Sequence, residues 1–393
     1  MHILEIAEFL YAEPDCMMNR MKTRKKPSLS NMDYYDYKYQ NLKYRFSKHV
    51  LANLPGGYAL PPVNFNLLVT YRCNIKCNFC YLYENNTREN EEKEMSLNEI
   101  KKIIDEISRF KPSIYITGGE PLLYRHITEV VKYIKEKGCY CGLFTNGLLL
   151  NEKIAEELVD SKLNNICISL GGTKHVHENA RNMPGSFEKA IKAIKLMKRI
   201  TNEKKSSFPK IGLFCTISKE NEGVLYDLLP IAKKLEADIL TYKHLYFSRD
   251  NMIKRHNEKF RRYFGIDAEG ISKTGIEVGV DAAKVIEQMK KINKDQGIKK
   301  KFYPNFSLDE VFKYYSDCAY PLRKRCFFPW FSASIKPNGD LSVCFHNYVV
   351  GNLKNKSFRE LWNNKKARHF RKVIQKEKTF PACTRCGGLF RYG

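Results

Sequence analysis

Hydrophobic and polar positions alternate in two periods along the middle of this chain. Short runs with strand character lie at about 63–70, 113–117, 140–145, 165–170, 210–217 and 238–246. Between them the apolar residues recur every three or four positions. Leu97, Ile100, Ile103, Ile104 and Ile107 form one such stripe, which predicts a helix with a single buried face. Ser96 and Glu99 form a capping box at its start, and it runs through Phe110. Similar patterns predict helices near 126–137, 151–161, 186–200, 222–235 and 281–293. Strand followed by helix, repeated, predicts an α/β fold with a parallel sheet.

The ends of the chain break this rhythm. Residues 1–62 read as a lead-in, interrupted by Pro14 and the basic run 22–27. Within it, Tyr34 to Phe46 interleaves tyrosine with lysine and arginine. That pattern suits a helix packed on the main domain, with base stacking as the alternative. Residues 63–247 carry the alternation. Residues 248–318, rich in lysine and asparagine, read as a linker with helices over the site. In 319–393, Ser332 to Phe345 predicts a hairpin turning at Asn338-Gly339, and a helix opened by Ser357 contains Leu361 and Trp362.

Composition narrows the class. The chain has 393 residues and 43% hydrophobic content, enough for one large domain and a smaller one. No run of 18 apolar residues occurs, so no membrane span is expected. Met1 to Asn19 lacks the basic and apolar regions of a secretory signal. The net charge of +25 fits an acidic partner, yet the lysines are spread along the whole chain, which fits a solvated surface. The 13 cysteines are odd in number and clustered, which argues against a disulfide framework and for a reducing cytoplasm. Cys16, Cys139, Cys141, Cys167, Cys215 and Cys318 fall outside the clusters. Most of these are expected to be small buried hydrophobes, with Cys318 a spare ligand at most.

The candidate chemistry starts at Cys73, Cys77 and Cys80. A gap of three and then two wraps one short loop around three corners of an iron–sulfur cube. The fourth iron then has no protein thiolate and can bind a small molecule. Zinc loops more often use paired two-residue gaps. The stretch Cys73-Asn74-Ile75-Lys76-Cys77-Asn78-Phe79-Cys80 resembles the cysteine loop of the radical S-adenosylmethionine (SAM) superfamily, including the aromatic Phe79. Gly118-Gly119-Glu120-Pro121, after the strand Ser113–Thr117, resembles the motif that meets the amino group of SAM in that family. Glycine lets backbone approach a ligand, and Glu120 offers an acceptor.

Further residues fit the same resemblance. Thr145-Asn146-Gly147 follows the third strand, and Ser169-Leu170-Gly171-Gly172 the fourth, with His177-Glu178 and Arg181 beyond. By likeness, Ser169 and Arg181 hold the SAM carboxylate, a ligand that suits a planar guanidinium. Gly171 stands where the family often has Asp, Glu178 where Asp follows His, and Asn182 where Gly follows Arg. Thr216 to Asn221 resembles a later strand and turn weakly. The resemblance implies a partial (β/α)6 TIM-like barrel, with Cys73, Cys77, Cys80, Gly118, Gly119, Glu120 and Asn146 gathered at the carboxyl ends of the strands.

A second set, Cys326, Cys344, Cys383 and Cys386, resembles the auxiliary-cluster domain appended to many such enzymes. No cysteine follows Cys386, which resembles the shortened, twitch-like form with one auxiliary 4Fe–4S cluster rather than the longer SPASM form. Four cysteines can also build a zinc ribbon. His346 and His369 are expected at the surface or behind the ligands. The resemblance implies a SAM-binding 4Fe–4S cluster, an auxiliary 4Fe–4S cluster and SAM itself as cofactors. It also implies a flavodoxin- or ferredoxin-type electron donor and a 5′-deoxyadenosyl radical that removes hydrogen from substrate. The short lead-in points to a small metabolite such as a sugar, tetrapyrrole or lipid-linked compound, with a ribosomally made peptide as the alternative. Nucleic acid is not expected as substrate. The alternative from another class is a non-catalytic, zinc-bearing nucleic-acid binder.

Overall fold

The computed structural model describes residues 48, 50, 52–80, 82, 93–268, 279–317, 320–345 and 348–391. Tyr34 to Phe46, Cys16, Cys318 and His346 lie outside the described residues.

Six parallel strands follow the predicted runs: β1 Asn64–Leu68, β2 Ser113–Thr117, β3 Tyr140–Thr145, β4 Asn165–Ser169, β5 Lys210–Ile217 and β6 Ile239–His244. They pair in sequence order, with Leu68 opposite Thr117 and Ser169 opposite Phe214. The connecting helices are α1 Leu97–Ser108, α2 Ile127–Glu136, α3 Glu152–Asp160, α4 Lys174–Arg181, α5 Ser186–Glu203 and α6 Leu228–Lys234. The capping box of α1 forms as expected: the Ser96 side chain accepts from the Glu99 amide and Glu99 accepts from the Ser96 amide.

Two strands extend this array. β7, Lys300–Tyr303, pairs parallel with β6 inside the segment expected to hold only a linker and helices. That segment also forms α7 Asp250–Phe264, α8 Ala282–Lys294 and α9 Leu308–Ser316. At the other edge, β8 Ser332–Ile335 pairs parallel with β1, Asn64 opposite Ser332. β9 Asp340–Ser342 turns back on β8 through Gly339, whose φ of +89° suits glycine. β10 Val349–Asn352 completes a single ten-stranded sheet. The C-terminal hairpin thus continues the main sheet. After α10 Phe328–Phe331, which precedes β8, come α11 Phe358–Trp362, α12 Lys365–Glu377 and α13 Gly387–Arg391. The segment before β1 is clamped under them: Trp362 Nε1 donates to the Leu60 carbonyl at 2.8 Å, and Arg371 Nη1 to the Gly57 carbonyl at 3.2 Å.

The burial pattern orients the sheet. In β1, β2 and β4 every second residue is fully covered: Phe65 and Leu67, Ile114 and Ile116, Ile166 and Ile168. These pack with the apolar faces of the helices in one core. The residues between them, among them Asn66, Tyr115, Cys167 and Ser169, are only half-buried. They line a concave inner face that solvent reaches. The rings of Phe144 on β3 and Phe214 on β5 meet at 5.4 Å across intervening β4, which requires that face to curve inward.

Candidate active site

The chain leaving β1 does not stop pairing at the strand's end. Val69 N donates to the Thr117 carbonyl, Gly119 N to Thr70 at 2.8 Å, and Glu120 N to Arg72 at 2.7 Å. The cysteine loop and the Gly-Gly turn after β2 are therefore laced together by backbone. This explains the glycines. A Cβ on Gly119 would fall well inside contact distance of the Tyr71 and Arg72 carbonyl oxygens, and one on Gly118, at φ +144°, would meet the Thr70 carbonyl. Gly119→Ala is expected to destabilise the fold by about 2 kcal/mol through overpacking against backbone and to lower iron uptake. Denaturant titration with iron analysis checks this. Wild-type values in both would show that the turn tolerates a side chain.

Glu120 is 1% exposed. Its carboxylate accepts from Thr145 Oγ1 at 2.6 Å, Asn146 N at 2.7 Å and Leu122 N at 3.0 Å. Burial raises its pKa, against these three hydrogen bonds and the charge of Arg181. Three of about four lone-pair sites are used, so Glu120 chiefly ties the turn after β2 to the end of β3. Asn146 continues the chain of contacts, with Nδ2 donating to Asn74 Oδ1 inside the cysteine loop at 2.8 Å.

Glu94, Asn78 and Asn221, none of them assigned a role from sequence, brace the loop and the turns beside it. Glu94 accepts from Arg72 Nε at 3.1 Å and Nη2 at 3.0 Å, and also from the Thr70 hydroxyl. Asn78 donates from its backbone to the Ala180 carbonyl, and from Nδ2 to the Asn179 carbonyl and Glu220 Oε1, each at 3.1 Å. The loop is thereby docked on the end of α4 and on the turn after β5. Asn221 ties that turn to the one after β4, donating to the Gly171 carbonyl at 2.9 Å and the Thr216 carbonyl at 2.8 Å.

Arg181, the last residue of α4, reaches the loop directly. Nη1 donates to Cys77 Sγ at 3.1 Å, and the guanidinium lies 5.2 Å from the Phe79 ring centre. Ser169 is half-buried at the end of β4. His177 Nδ1 accepts from the Gly171 amide at 3.0 Å, so the ring proton sits on Nε2. Burial, and then Arg181, hold the His177 pKa down at about 3, leaving a neutral ring that shapes the turn. Gly171 keeps the space beside it open: a Cβ there would have no neighbour nearer than 3.9 Å.

Cys73, Cys77 and Cys80 form no disulfide and are partly exposed. Burial pushes Cys73 up to about 12, and Glu120, Cys77 and Cys80 add to it. Such thiols ionise when iron binds them. The donors fit a cluster: three thiols on one loop, an arginine at one sulfur, and backbone holding the loop's shape.

The second set lies in the C-terminal region. Cys326, Cys344, Cys383 and Cys386 line one apolar cavity with Phe260, Phe328, Phe345, Phe380 and Leu389. Burial raises Cys326 and Cys386 far above the usual thiol range, and the neighbouring cysteines raise them further. Among the described residues no three His, Cys, Asp or Glu side chains converge tightly enough for a single metal ion. Zinc would need its sulfurs about 2.3 Å from one point. Four thiols lining one apolar cavity form a donor set that suits a four-thiolate iron–sulfur cluster. His369 is at the surface, with Nε2 against the Tyr263 carbonyl at 3.0 Å.

Comparison with known proteins agrees with this geometry. Residues 67–219 match the radical SAM superfamily, and residues 326–387 match the iron–sulfur cluster-binding domain called SPASM. The Fe-coproporphyrin III synthase of Methanosarcina barkeri is 29% identical over 189 residues, 48% of this chain and 45% of that protein. The AdoMet-dependent heme synthase of the same organism is 26% identical over 338 residues, 81% of this chain and 86% of that one. SuiB of Streptococcus suis bound to S-adenosylmethionine shares the fold, with TM-score 0.59 and 16% identity over 93% of this chain and 79% of SuiB. No helix among the described residues is long and apolar enough to cross a membrane. Residues 67–219 thus form a radical SAM domain, and residues 326–387 a SPASM-type iron–sulfur cluster-binding domain.

Proposed function

We propose that this enzyme cleaves S-adenosylmethionine reductively and abstracts hydrogen from a small metabolite. The observation that carries this reading is the three-cysteine loop seated on the end of α4 at the carboxyl ends of the strands, with Arg181 on Cys77 and Asn78 on the Asn179 carbonyl. Cys73, Cys77 and Cys80 would hold the SAM-binding 4Fe–4S cluster, with Phe79, Gly118, Gly119, Asn146, Ser169 and Arg181 around the cofactor. When bound, the cluster and SAM supply one-electron chemistry that yields a 5′-deoxyadenosyl radical, the electron coming from a flavodoxin- or ferredoxin-type donor. Glu120 and Asn146 keep the floor of the site in register. Arg181 supports the Cys77 thiolate by charge and stays close enough to meet a carboxylate. Cys326, Cys344, Cys383 and Cys386 would hold one auxiliary 4Fe–4S cluster in an apolar, water-poor cavity.

A metabolite is favoured over a peptide because the alignment covering 86% of a relative is to a protein named for making heme, while the peptide-bound SuiB resembles this chain in fold alone. Tetrapyrroles are the first candidates. The zinc-bearing nucleic-acid binder has no support from either matched domain. Anaerobically reconstituted, dithionite-reduced protein should release 5′-deoxyadenosine from SAM, and fractions of host extract should stimulate that release after protease treatment. Stimulation destroyed by protease would mean a peptide substrate.

A further inference from the structure

The inner face of the sheet carries a cation that the chemistry above does not use. Lys243 sits on β6, opposite Thr216 of β5 and Tyr303 of β7. It belongs to the half-buried inner set, whereas its neighbours Tyr242 and His244 are fully covered. Its ammonium lies 4.1 Å from the Tyr246 ring centre and 5.8 Å from that of Phe214. Among the described residues no carboxylate pairs with it. The groups acting on it are burial and the thiol of Cys80. Burial lowers its pKa to about 8, so it stays mostly protonated at neutral pH.

Aromatic rings alone compensate a buried ammonium poorly. A surface lysine would extend into water, and a structural one would carry a carboxylate partner. Lys243 does neither, and it stands between the two cysteine sets: the charge of Cys80 acts on it, while the adjoining Tyr246 packs against Gly387, next to Cys386, and its ring lies 5.7 Å from that of Phe345. A second cation borders the same space. Arg391 of α13 donates to Asn66 Oδ1 at 3.0 Å on β1, lies over Tyr115 of β2, and acts on Tyr246.

We propose that Lys243 anchors an anionic substituent of the substrate, a carboxylate or a phosphate, holding it inside the barrel between the SAM site and the C-terminal cysteines. The aromatic wall of Tyr115, Phe144, Phe214 and Tyr246 would take the apolar body of that molecule. This inference rests on the radical SAM reading above.

Host metabolite extract, freed of protein, is split on a strong anion exchanger. Both pools are added to wild type, Lys243→Met and Lys243→Arg, and 5′-deoxyadenosine release is read as the ratio with pool to without, so that a general loss of activity cancels. The stimulating activity should be in the retained pool. Lys243→Met should raise the half-saturating amount of that pool at least about tenfold, and Lys243→Arg should recover part of it. Phosphatase treatment of the pool removes the stimulation if the group is a phosphate, and methyl esterification removes it if the group is a carboxylate. Stimulation by the unretained pool, by neither pool, or equally in Lys243→Met would overturn the proposal. The partition needs no variant, so it stands if Lys243→Met fails to fold. A wild type that releases no 5′-deoxyadenosine under any condition would instead sink the radical SAM reading.

Discussion

Replacing Cys77 with serine is expected to abolish 5′-deoxyadenosine formation and remove about half of the reconstituted iron, from ~8 to ~4 per chain. The expectation follows from where Cys77 sits. Its sulfur is the one that Arg181 Nη1 contacts at 3.1 Å, in a loop pinned from both sides by Asn78 and Asn146. A serine hydroxyl is a harder and far less acidic donor. The loop itself has no spare cysteine: among the described residues Cys139, Cys141 and Cys215 are buried in the core, and Cys167 lies on the inner face of β4 with Asn165 Nδ2 donating to its sulfur at 3.2 Å. Cys139→Ala should therefore keep full iron content and serves as the control. Iron and sulfide analysis beside chromatography of the SAM products decides it. A Cys77→Ser protein with unchanged iron and turnover would mean the cluster is held elsewhere.

How much of this was legible in the chain varies with distance along it. The six strands were visible because their outer residues, such as Ile114 and Ile116, alternate with polar or aromatic inner ones. β7 was missed because Lys300–Tyr303 is short and three of its four residues are lysine or tyrosine, a pattern that a solvated loop shares. The β8–β9 hairpin was legible from Asn338-Gly339, but its pairing with β1 was not, since no local pattern reports a partner about 270 residues away. The site divides the same way. Cysteines and glycines announce themselves by spacing. Arg181 was visible as a residue, but its contact with Cys77 depends on how α4 lies against the loop. Glu120 was read as a free acceptor for the SAM ammonium, yet the fold commits most of its carboxylate to Thr145, Asn146 and Leu122. Glu94 and Lys243 look like ordinary surface polar residues until the fold half-buries them, and Asn78, which stays exposed, shows its role only in its bonds to Asn179 and Glu220.

Arg385 stands between Cys383 and Cys386 and is fully buried. Its guanidinium donates to the carbonyls of Tyr314 at 2.6 Å, Lys313 at 3.0 Å, Tyr320 at 3.1 Å and its neighbour Thr384 at 2.8 Å, and also to that of Asp317. The ring of Tyr314 lies 4.9 Å beneath it. Three of those carbonyls belong to the end of α9, where a cation is favoured; those of Lys313 and Asp317 also accept from the Asp317 and Tyr320 amides. Arg385 thus caps α9 and, through its own backbone, fixes the two cysteines on either side. Arg385→Ala strips a donor from five carbonyls and leaves a cavity beneath them, costing about 4 kcal/mol. The C-terminal cluster should be lost with it, so iron should fall by about half. Turnover of SAM at the Cys73 loop should continue, because the carbonyls that hold Arg385 lie in α9 and the segments beside it, away from that loop in sequence. Arg385→Lys keeps one donor group in place of a fork and should fall between the two. Denaturant titration with iron analysis and 5′-deoxyadenosine release reads all three. Full iron content in a folded Arg385→Ala protein would show that Cys383 and Cys386 hold their geometry without the cap.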